Sequence, residues 1–181
     1  MNFNQSPEAV ARQLIGCTLL VNGVGGVIIE TEAYDVDDAA SHSFSGETPR
    51  NAPMFGPPGR AYVYLSYGLH WCLNVVCREV GHGAAVLIRA LEPTRGLETM
   101  RKRRGLHDAQ LLAAGPGRVG QALGIDRTFN DLAFDAPPFT LLQAPLQPDL
   151  MVGVRVGITK AADQPWRFGM LGSRFVSRRF S

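Results

Sequence analysis

Lysine and cysteine are both scarce in this chain, and each shortage narrows its chemistry. The only lysines are Lys102 and Lys160, and neither lies near the tyrosine-bearing segment described below. A covalent Schiff-base step needs such an amine, so we do not expect one. The three cysteines, Cys17, Cys72 and Cys77, are an odd number and lack zinc-finger spacing. We therefore expect a reducing compartment, no disulfide framework, no metal and no cofactor.

Long apolar runs and export signals are also missing. No apolar run approaches the roughly 20 residues that cross a bilayer, and the start, MNFNQSPEAV, has neither the basic nor the apolar region of a signal peptide. We expect no membrane partner. At 181 residues the chain is large enough to bury its own core, so we predict a single domain over residues 1–181. Nothing in the sequence demands a dimer, and we expect a monomer.

Two stretches of the chain each carry charged side chains of a single sign. Residues 30–47 carry six acids and no Lys or Arg, whereas residues 167–181 carry four arginines and no acid. Guanidinium groups suit bidentate phosphate contacts, and a basic surface with a separate acidic site is typical of nucleic-acid binding. A solvated surface with a codon bias toward arginine explains the same charges, and charge alone does not decide between them.

Aromatic, acidic and amide side chains concentrate between residues 29 and 76. They comprise all four tyrosines, a glutamate, a histidine and an asparagine: Glu32, Tyr34, His42, Tyr62, Tyr64, Tyr67 and Asn74. This composition indicates a pocket that binds a flat heterocycle between aromatic rings and places a general base beside it. Stacking on an aromatic ring contributes about 1–3 kcal/mol per nucleobase. Spacing alone favours the plainer alternative that strand tyrosines are half-buried packing residues.

Two residues of this region, and Arg89 beyond it, have two interpretations each. Tyr67 falls at a predicted hairpin tip, where a large ring has little core to join, so it could be a wedge that enters a base stack. Glu32 could activate water, but Glu30 shares its strand face and period alone does not choose between them. Arg89, inside the apolar strand VLIRAL, needs an acceptor, which is either a catalytic carboxylate or a structural ion-pair partner.

Local signals predict an α+β chain. The predicted elements are a helix after Ser6-Pro7, a hairpin at Asn22-Gly23 with a return strand near 27–34, a hairpin turning at 66–68, a strand over 84–93, a helix capped by Pro93-Thr94 through about 104, a helix from Gly115 to Leu123 and a strand over 151–159. Residues 115–120 fit GxGxxG literally, but a predicted helix precedes them, so the dinucleotide context is missing. An anion site at that helix start remains an alternative.

The chain resembles the alkyladenine (3-methyladenine) DNA glycosylase family. The matching segments, in order along nearly the whole chain, are ETEAY (30–34), AASHS, TPRN (48–51), MFGPPG (54–59), YVYLSYG, Asn74, VLIRALEP (86–93), GLETMR (96–101), GPGRVGQALGI and RVGI (155–158). The resemblance implies a single mixed α+β domain with a curved antiparallel sheet, flanking helices and a protruding β-hairpin that inserts into DNA. Departures are His70 and a shortened loop after residue 104.

The resemblance also implies roles for individual residues. Glu32 is the general base, and Arg89 helps to hold the attacking water. Tyr34, His42 and Tyr64 are walls of the pocket for the extrahelical base. Asn74 clashes with the 2-amino group of guanine, and Tyr67 fills the gap that the flipped nucleotide leaves.

The implied partner is double-stranded DNA containing damaged purines of the 3-methyladenine, 7-methylguanine, hypoxanthine and ethenoadenine class. The implied product is an intact abasic site, because the scarcity of lysine predicts a monofunctional glycosylase without lyase activity. For a bacterial source we expect a cytoplasmic, nucleoid-associated protein. Two rival classes remain: a non-catalytic nucleic-acid-binding module with an aromatic stacking platform, and an enzyme acting on a small nucleoside or dinucleotide.

Overall fold

The structure is a computed structural model that describes residues 1–180, and it is built on one eight-stranded antiparallel sheet flanked by short helices. The strands are β1 (Thr18–Val21), β2 (Val24–Tyr34), β3 (Ala61–Ser66), β4 (His70–Cys77), β5 (Ala84–Arg95), β6 (Phe139–Leu142), β7 (Leu150–Gly153) and β8 (Arg167–Met170). The helices are α1 (Pro7–Leu14), α2 (Leu97–Arg104), α3 (Ala109–Leu112) and α4 (Pro116–Leu123), with 3₁₀ turns at Ala52–Phe55 and Arg127–Phe129. The α+β class is confirmed.

The sheet curls around β2 and β5, which are its two longest strands. Neighbouring strands are hydrogen-bonded in the order β3-β4-β5-β2-β1-β6. Strand β8 pairs with residues 30–32 of β2, after the part of β2 that pairs with β1, and β8 also pairs with β7. Register shifts interrupt the β2–β5 ladder beside Gly25 and beside Glu30. Such bulges bend a strand and increase its twist, so β2 can pair with β1 near its start and with β8 near its end.

Local signals explain most element boundaries. Ser6 accepts a hydrogen bond from the Ala9 N–H and caps α1, with Pro7 in its first turn. Asn22 and Gly23 both adopt positive φ, 49° and 77°, as a two-residue hairpin turn between β1 and β2 requires. The predicted hairpins and the helix from Gly115 to Leu123 are confirmed.

Two boundaries differ from the sequence prediction. Pro93-Thr94 does not cap a helix, because β5 continues through Pro93 to Arg95 opposite β2, and α2 starts only after Gly96 in a left-handed conformation. The strand predicted over 151–159 ends at Gly153. The chain leaves the sheet there because Arg155 is buried in an ion pair with Asp38 and the Val156 N–H turns to Glu32.

The main core lies between the sheet and helices α1 and α4, where aliphatic side chains such as Leu14, Ile28 and Val119 are fully buried. A second, smaller cluster joins Met54, Tyr62, Val76 and Ala85 on the other side of the β3–β4–β5 region. The open side of this smaller cluster is where the candidate site lies. None of the helices described in residues 1–180 has the length and apolar composition needed to cross a membrane.

Candidate active site

A cavity of about 470 Å³ opens over strands β3, β4 and β5. Six of the seven residues to which the resemblance assigns roles line it directly: Tyr34, His42, Tyr64, Tyr67, Asn74 and Arg89. The seventh, Glu32, is fully buried and lies behind this lining, in contact with Tyr34 and Arg89. The residues spread over the sequence from 32 to 89 therefore form one site.

The floor of the cavity follows one row of residues across the sheet. Tyr62 faces Asn74 across β3 and β4, Asn74 faces Leu87 across β4 and β5, and Leu87 faces Glu32 across β5 and β2. Laterally paired residues of neighbouring strands point to the same face. Asn74 and Glu32 are thus two strand spacings apart, about 10 Å, with the apolar Leu87 between them.

Three rings form one wall. His42 packs edge-on against Tyr64, with ring centroids 4.5 Å apart, and Tyr62 lies behind at 5.6 Å from Tyr64. His42 Nδ1 and the Tyr62 hydroxyl are 2.8 Å apart and share a hydrogen bond. The side-chain amide of Asn51 donates to the His42 carbonyl at 2.8 Å. These contacts hold the imidazole on the wall although it lies at the exposed rim.

The protonation states of this wall follow from its burial. Burial raises the pKa of Tyr62 to about 12 and raises the pKa of Tyr64 further. Partial burial, and then the charge of Arg50, lower the pKa of His42 below its ordinary value. At neutral pH the wall is therefore two neutral phenols and a neutral imidazole, which favours stacking with a flat ring.

The opposite wall is Tyr34, which rests on a buried arginine. The Arg155 guanidinium lies 4.6 Å from the Tyr34 ring centroid. Arg155 in turn makes a two-pronged buried ion pair with Asp38, with Nη2 and Oδ1 2.8 Å apart. This pair ties the loop after β2 to the loop after β7 and fixes the ring from behind.

Glu32 has three donors around its carboxylate. The Tyr34 hydroxyl donates to Oε2 at 2.9 Å, Arg89 Nη1 donates to Oε2 at 3.2 Å, and the Val156 N–H donates to Oε1 at 2.7 Å. Burial and then the neighbouring Glu32 raise the pKa of Tyr34 well above its ordinary value, so its hydroxyl stays a donor. An ionised carboxylate accepts about four hydrogen bonds, so one acceptor position, on Oε1, remains.

The structure separates Glu32 from Glu30, which strand period alone did not. Glu30 is also fully buried, but its partners are Arg89, Arg167 and Ser177. Of the three Glu32 partners, only Arg89 also contacts Glu30, and all three line the cavity. Burial alone would lower the pKa of Arg89, but Glu32 and then Glu30 outweigh it and raise that pKa. Arg89 is a cation shared by two carboxylates.

Asn74 is fixed by the backbone of the neighbouring strand. Its Nδ2 donates to the Tyr62 carbonyl at 2.9 Å. A carbonyl oxygen can only accept a hydrogen bond, so the amide nitrogen of Asn74 faces it and the amide oxygen of Asn74 points away from it.

The turn of the β3–β4 hairpin lies beside the cavity, which Ser66 and Tyr67 line. Tyr67 lies in this turn with φ 51° and 88% of its surface exposed. Helix α4 packs closely against β4, since a Cβ on Gly120 would meet the Trp71 carbonyl oxygen at 2.0 Å. Pro116, at the start of α4, lines the cavity. The GxGxxG stretch thus serves close packing beside the site.

Sequence reasoning missed several members of the site. Arg155, Val156 and Ser177 lie beyond residues 29–76, and Asp38 lies within that segment but was not singled out. A signal existed for Arg155, because a single arginine inside the apolar run MVGVRVGIT needs a buried acceptor. Among residues 1–180, no group of three or more His, Cys, Asp or Glu side chains is placed to hold a metal ion.

Comparison with known proteins identifies the family of this chain. Residues 1–174 match the family described as "Methylpurine-DNA glycosylase (MPG)". A protein of Nitrosospira multiformis is 62% identical over 181 residues, covering 99% of this chain and 93% of that relative. A protein of Rhodopseudomonas palustris is 61% identical (98% and 89%), and one of Rhizobium meliloti is 60% identical (98% and 95%). All three carry the name "Putative 3-methyladenine DNA glycosylase".

The fold, the site and these similarities define a DNA glycosylase, a hydrolase of base excision repair whose substrate is DNA. The chain belongs to the methylpurine-DNA glycosylase family. The family predicted from the sequence is therefore confirmed.

Proposed function

We propose that this DNA glycosylase excises alkylated and deaminated purines from duplex DNA by hydrolysing the N-glycosidic bond with a water that Glu32 activates. The observation that carries the proposal is the Glu32 carboxylate: it is held by three donors whose residues all line the ring-walled cavity. The proposed class comprises 3-methyladenine, 7-methylguanine, hypoxanthine and ethenoadenine, in line with the names of the relatives.

The first step is extrusion of the target nucleotide. A base inside a duplex is out of reach, and rotating it out costs a few kcal/mol, less for a damaged or mispaired base. Tyr67, exposed at the hairpin tip, enters the stack and fills the gap. The arginines hold the phosphates of the bent duplex, so binding should weaken as salt rises.

The extruded purine then lies between Tyr34 and the wall of His42 and Tyr64. Asn74, whose amide the Tyr62 carbonyl fixes, meets the edge where guanine carries its 2-amino group. The resulting clash excludes unmodified guanine, which is also a poor leaving group. A cationic 7-methylguanine has a much weaker glycosidic bond and is released in spite of the clash.

In the chemical step, Glu32 takes a proton from a water whose oxygen bonds to the anomeric carbon. The glycosidic C–N bond breaks, and its electron pair leaves with the base. Arg89, which contacts Glu32 at 3.2 Å and lines the cavity, helps to hold this water. The transition state has oxocarbenium character, as in glycoside hydrolysis, and the buried Glu32 anion stabilises it.

We further propose that the enzyme acts as a monomer and leaves the abasic strand uncut. One chain supplies every residue of the site. Lys102 and Lys160 are exposed and neither lines the cavity, so no lysine amine is placed to form a Schiff base. Borohydride should trap no enzyme–DNA adduct, and a trapped adduct would contradict this part.

The test is release of free base from defined duplexes. The purified protein is incubated with duplexes carrying hypoxanthine, ethenoadenine or 7-methylguanine, and the free base is separated by chromatography. We expect release from at least the methylated duplex, with strand breaks only after alkali. Tight lesion binding without release of any base would favour the rival class, a non-catalytic module that uses the rings as a stacking platform.

A further inference from the structure

A second buried carboxylate, Glu30, lies beside the site and takes no part in the steps above. It is fully buried, and four donors surround it: Arg89 Nε at 3.1 Å, Arg167 Nε at 2.7 Å, and the hydroxyl (2.8 Å) and backbone N–H of Ser177. Three of these donors contact Oε1 and the Ser177 N–H contacts Oε2, and Glu30 does not line the cavity.

Glu30 and Glu32 divide the Arg89 guanidinium between them. Nε contacts Glu30, Nη1 contacts Glu32 at 3.2 Å, and Nη2 donates to the Ser177 hydroxyl at 3.3 Å. Arginine and carboxylate often pair through two parallel hydrogen bonds. Here Glu32 receives a single hydrogen bond from Arg89, because Nε contacts Glu30 and Nη2 contacts Ser177.

The contact with Arg89 Nη2 comes from the C-terminal segment. Ser177 lies beyond residue 174, where the family match ends. Arg167 holds this segment in place, since it contacts Glu30 and also donates to the Arg178 carbonyl at 2.6 Å, and its guanidinium lies 3.9 Å from the Phe180 ring centroid. The segment thereby places one hydroxyl between Glu30 and Arg89.

We propose that Glu30, clasped by Ser177 of the C-terminal segment, is a positioning residue that restrains Arg89 to a single hydrogen bond with Glu32 and so keeps one acceptor position of Glu32 open for the attacking water. This inference rests on the proposed role of Glu32 as general base. In the absence of Glu30, Arg89 is free to turn and pair with Glu32 through two hydrogen bonds. The open position is then filled, and the anionic form of Glu32 is stabilised too strongly to accept a proton.

The Glu30→Gln variant tests this most sharply. The substrate is 7-methylguanine in a duplex, because a cationic base leaves without protonation and the acid side of the pH–rate profile then reports the general base alone. We expect the single-turnover rate to fall about ten-fold or more, since small displacements at a reacting centre have effects of that order. We also expect the acid limb of the profile to move to lower pH, because one neighbouring negative charge is gone and Arg89 pairs more fully with Glu32. Lesion binding should be unchanged.

A purely structural role for Glu30 gives a different pattern. Thermal stability and the active fraction would drop, but the rate per active molecule, after titration with tightly bound lesion duplex, and the acid limb would match the wild type. That result, or an acid limb that moves to higher pH, would overturn the proposal. An acid limb at higher pH would mean that Arg89 moves away from Glu32 when Glu30 is changed.

Ser177 supplies a milder variant that decides the matter even if Glu30→Gln fails to fold. Ser177→Ala removes the acceptor of Arg89 Nη2, and we expect a several-fold slower chemical step with unchanged binding. Ser177→Thr restores the hydroxyl and should restore the rate. The matched control is Ser173→Ala, which loses only a local hydrogen bond to the Phe175 N–H and should behave as wild type. A wild-type rate for Ser177→Ala would overturn the proposal.

These outcomes stay separate from a failure of the proposed function. If Glu32→Gln is inactive while the Glu30 and Ser177 variants keep the wild-type rate and acid limb, only the positioning role is wrong. If Glu32→Gln keeps its activity, the proposed base is wrong and Glu30 has nothing to position.

Discussion

The hydroxyl of Tyr34 donates a 2.9 Å hydrogen bond to Oε2 of Glu32, two residues earlier on strand β2. One residue therefore lines the proposed base pocket with its ring and contacts the proposed general base with its hydroxyl. Side chains two apart on a strand share a face, which is why the run ETEAY can combine both. The ring cannot shift without changing the surroundings of the carboxylate.

Removing only that hydroxyl should change pH dependence more than binding. In Tyr34→Phe the ring remains, but Glu32 loses a donor that stabilises its anionic form, so it is protonated more readily. The rate is lost as pH falls, and we expect this loss to begin at higher pH than in the wild type. Single-turnover rates across pH measure it, and an unmoved acid limb would contradict it.

Tyr64 should contribute mainly to holding the base. We expect Tyr64→Ala to weaken binding of a lesion duplex by about 1–3 kcal/mol, the range for one base–aromatic stack. Binding is best measured in a Glu32→Gln background, where no base is released. Affinity for an undamaged duplex is the control and should not change. Equal losses on both duplexes would place Tyr64 outside the base pocket.

Tyr67 should matter only where a base pair must be opened. The ring is 88% exposed, so Tyr67→Ala should leave the folded structure intact. We expect it to slow release from paired lesions more than from the same lesion in single-stranded DNA. Val80→Ala, at a side chain 67% exposed in another turn, is the matched control. Equal losses on paired and unpaired substrates would contradict a wedge.

The buried ion pair behind Tyr34 should be expensive to break. Asp38→Ala leaves Arg155 buried without its carboxylate, which typically lowers the free energy of unfolding by about 3–5 kcal/mol. The neighbouring Asp37 is exposed, and Asp37→Ala should stay within about 0.5 kcal/mol of wild type. Denaturant unfolding of both variants measures the difference. Similar stabilities for the two would show that the pair contributes little.

The sequence predicted those parts of the fold that local chemistry determines. Asn22-Gly23 forms its turn because few residue pairs tolerate two positive φ angles, and Ser6-Pro7 caps α1 for equally local reasons. The strand over 151–159 was overpredicted because its apolar alternation did not reveal that Arg155 would leave the sheet to meet Asp38, which is distant in sequence. The same limit explains α2, where pairing with β2 keeps Pro93 in a strand.

The site shows the same division. The rings and Glu32 were predicted because they fall in one short segment that resembles a known family. Their roles remain predictions, although the structure places them together. The choice between Glu30 and Glu32 depended on partners from distant segments, Val156 and Ser177, which strand period does not show. Tertiary contacts of this kind decide which of two equivalent carboxylates has only cavity-lining residues as partners.

The most direct test of the account is the single-turnover rate of Glu32→Gln on a duplex carrying a damaged purine that the wild type cleaves. Glutamine has the size of glutamate but accepts no proton from water. The account predicts that base release is abolished while affinity for the lesion duplex is retained. Release at the wild-type rate would contradict it and remove Glu32 from the mechanism.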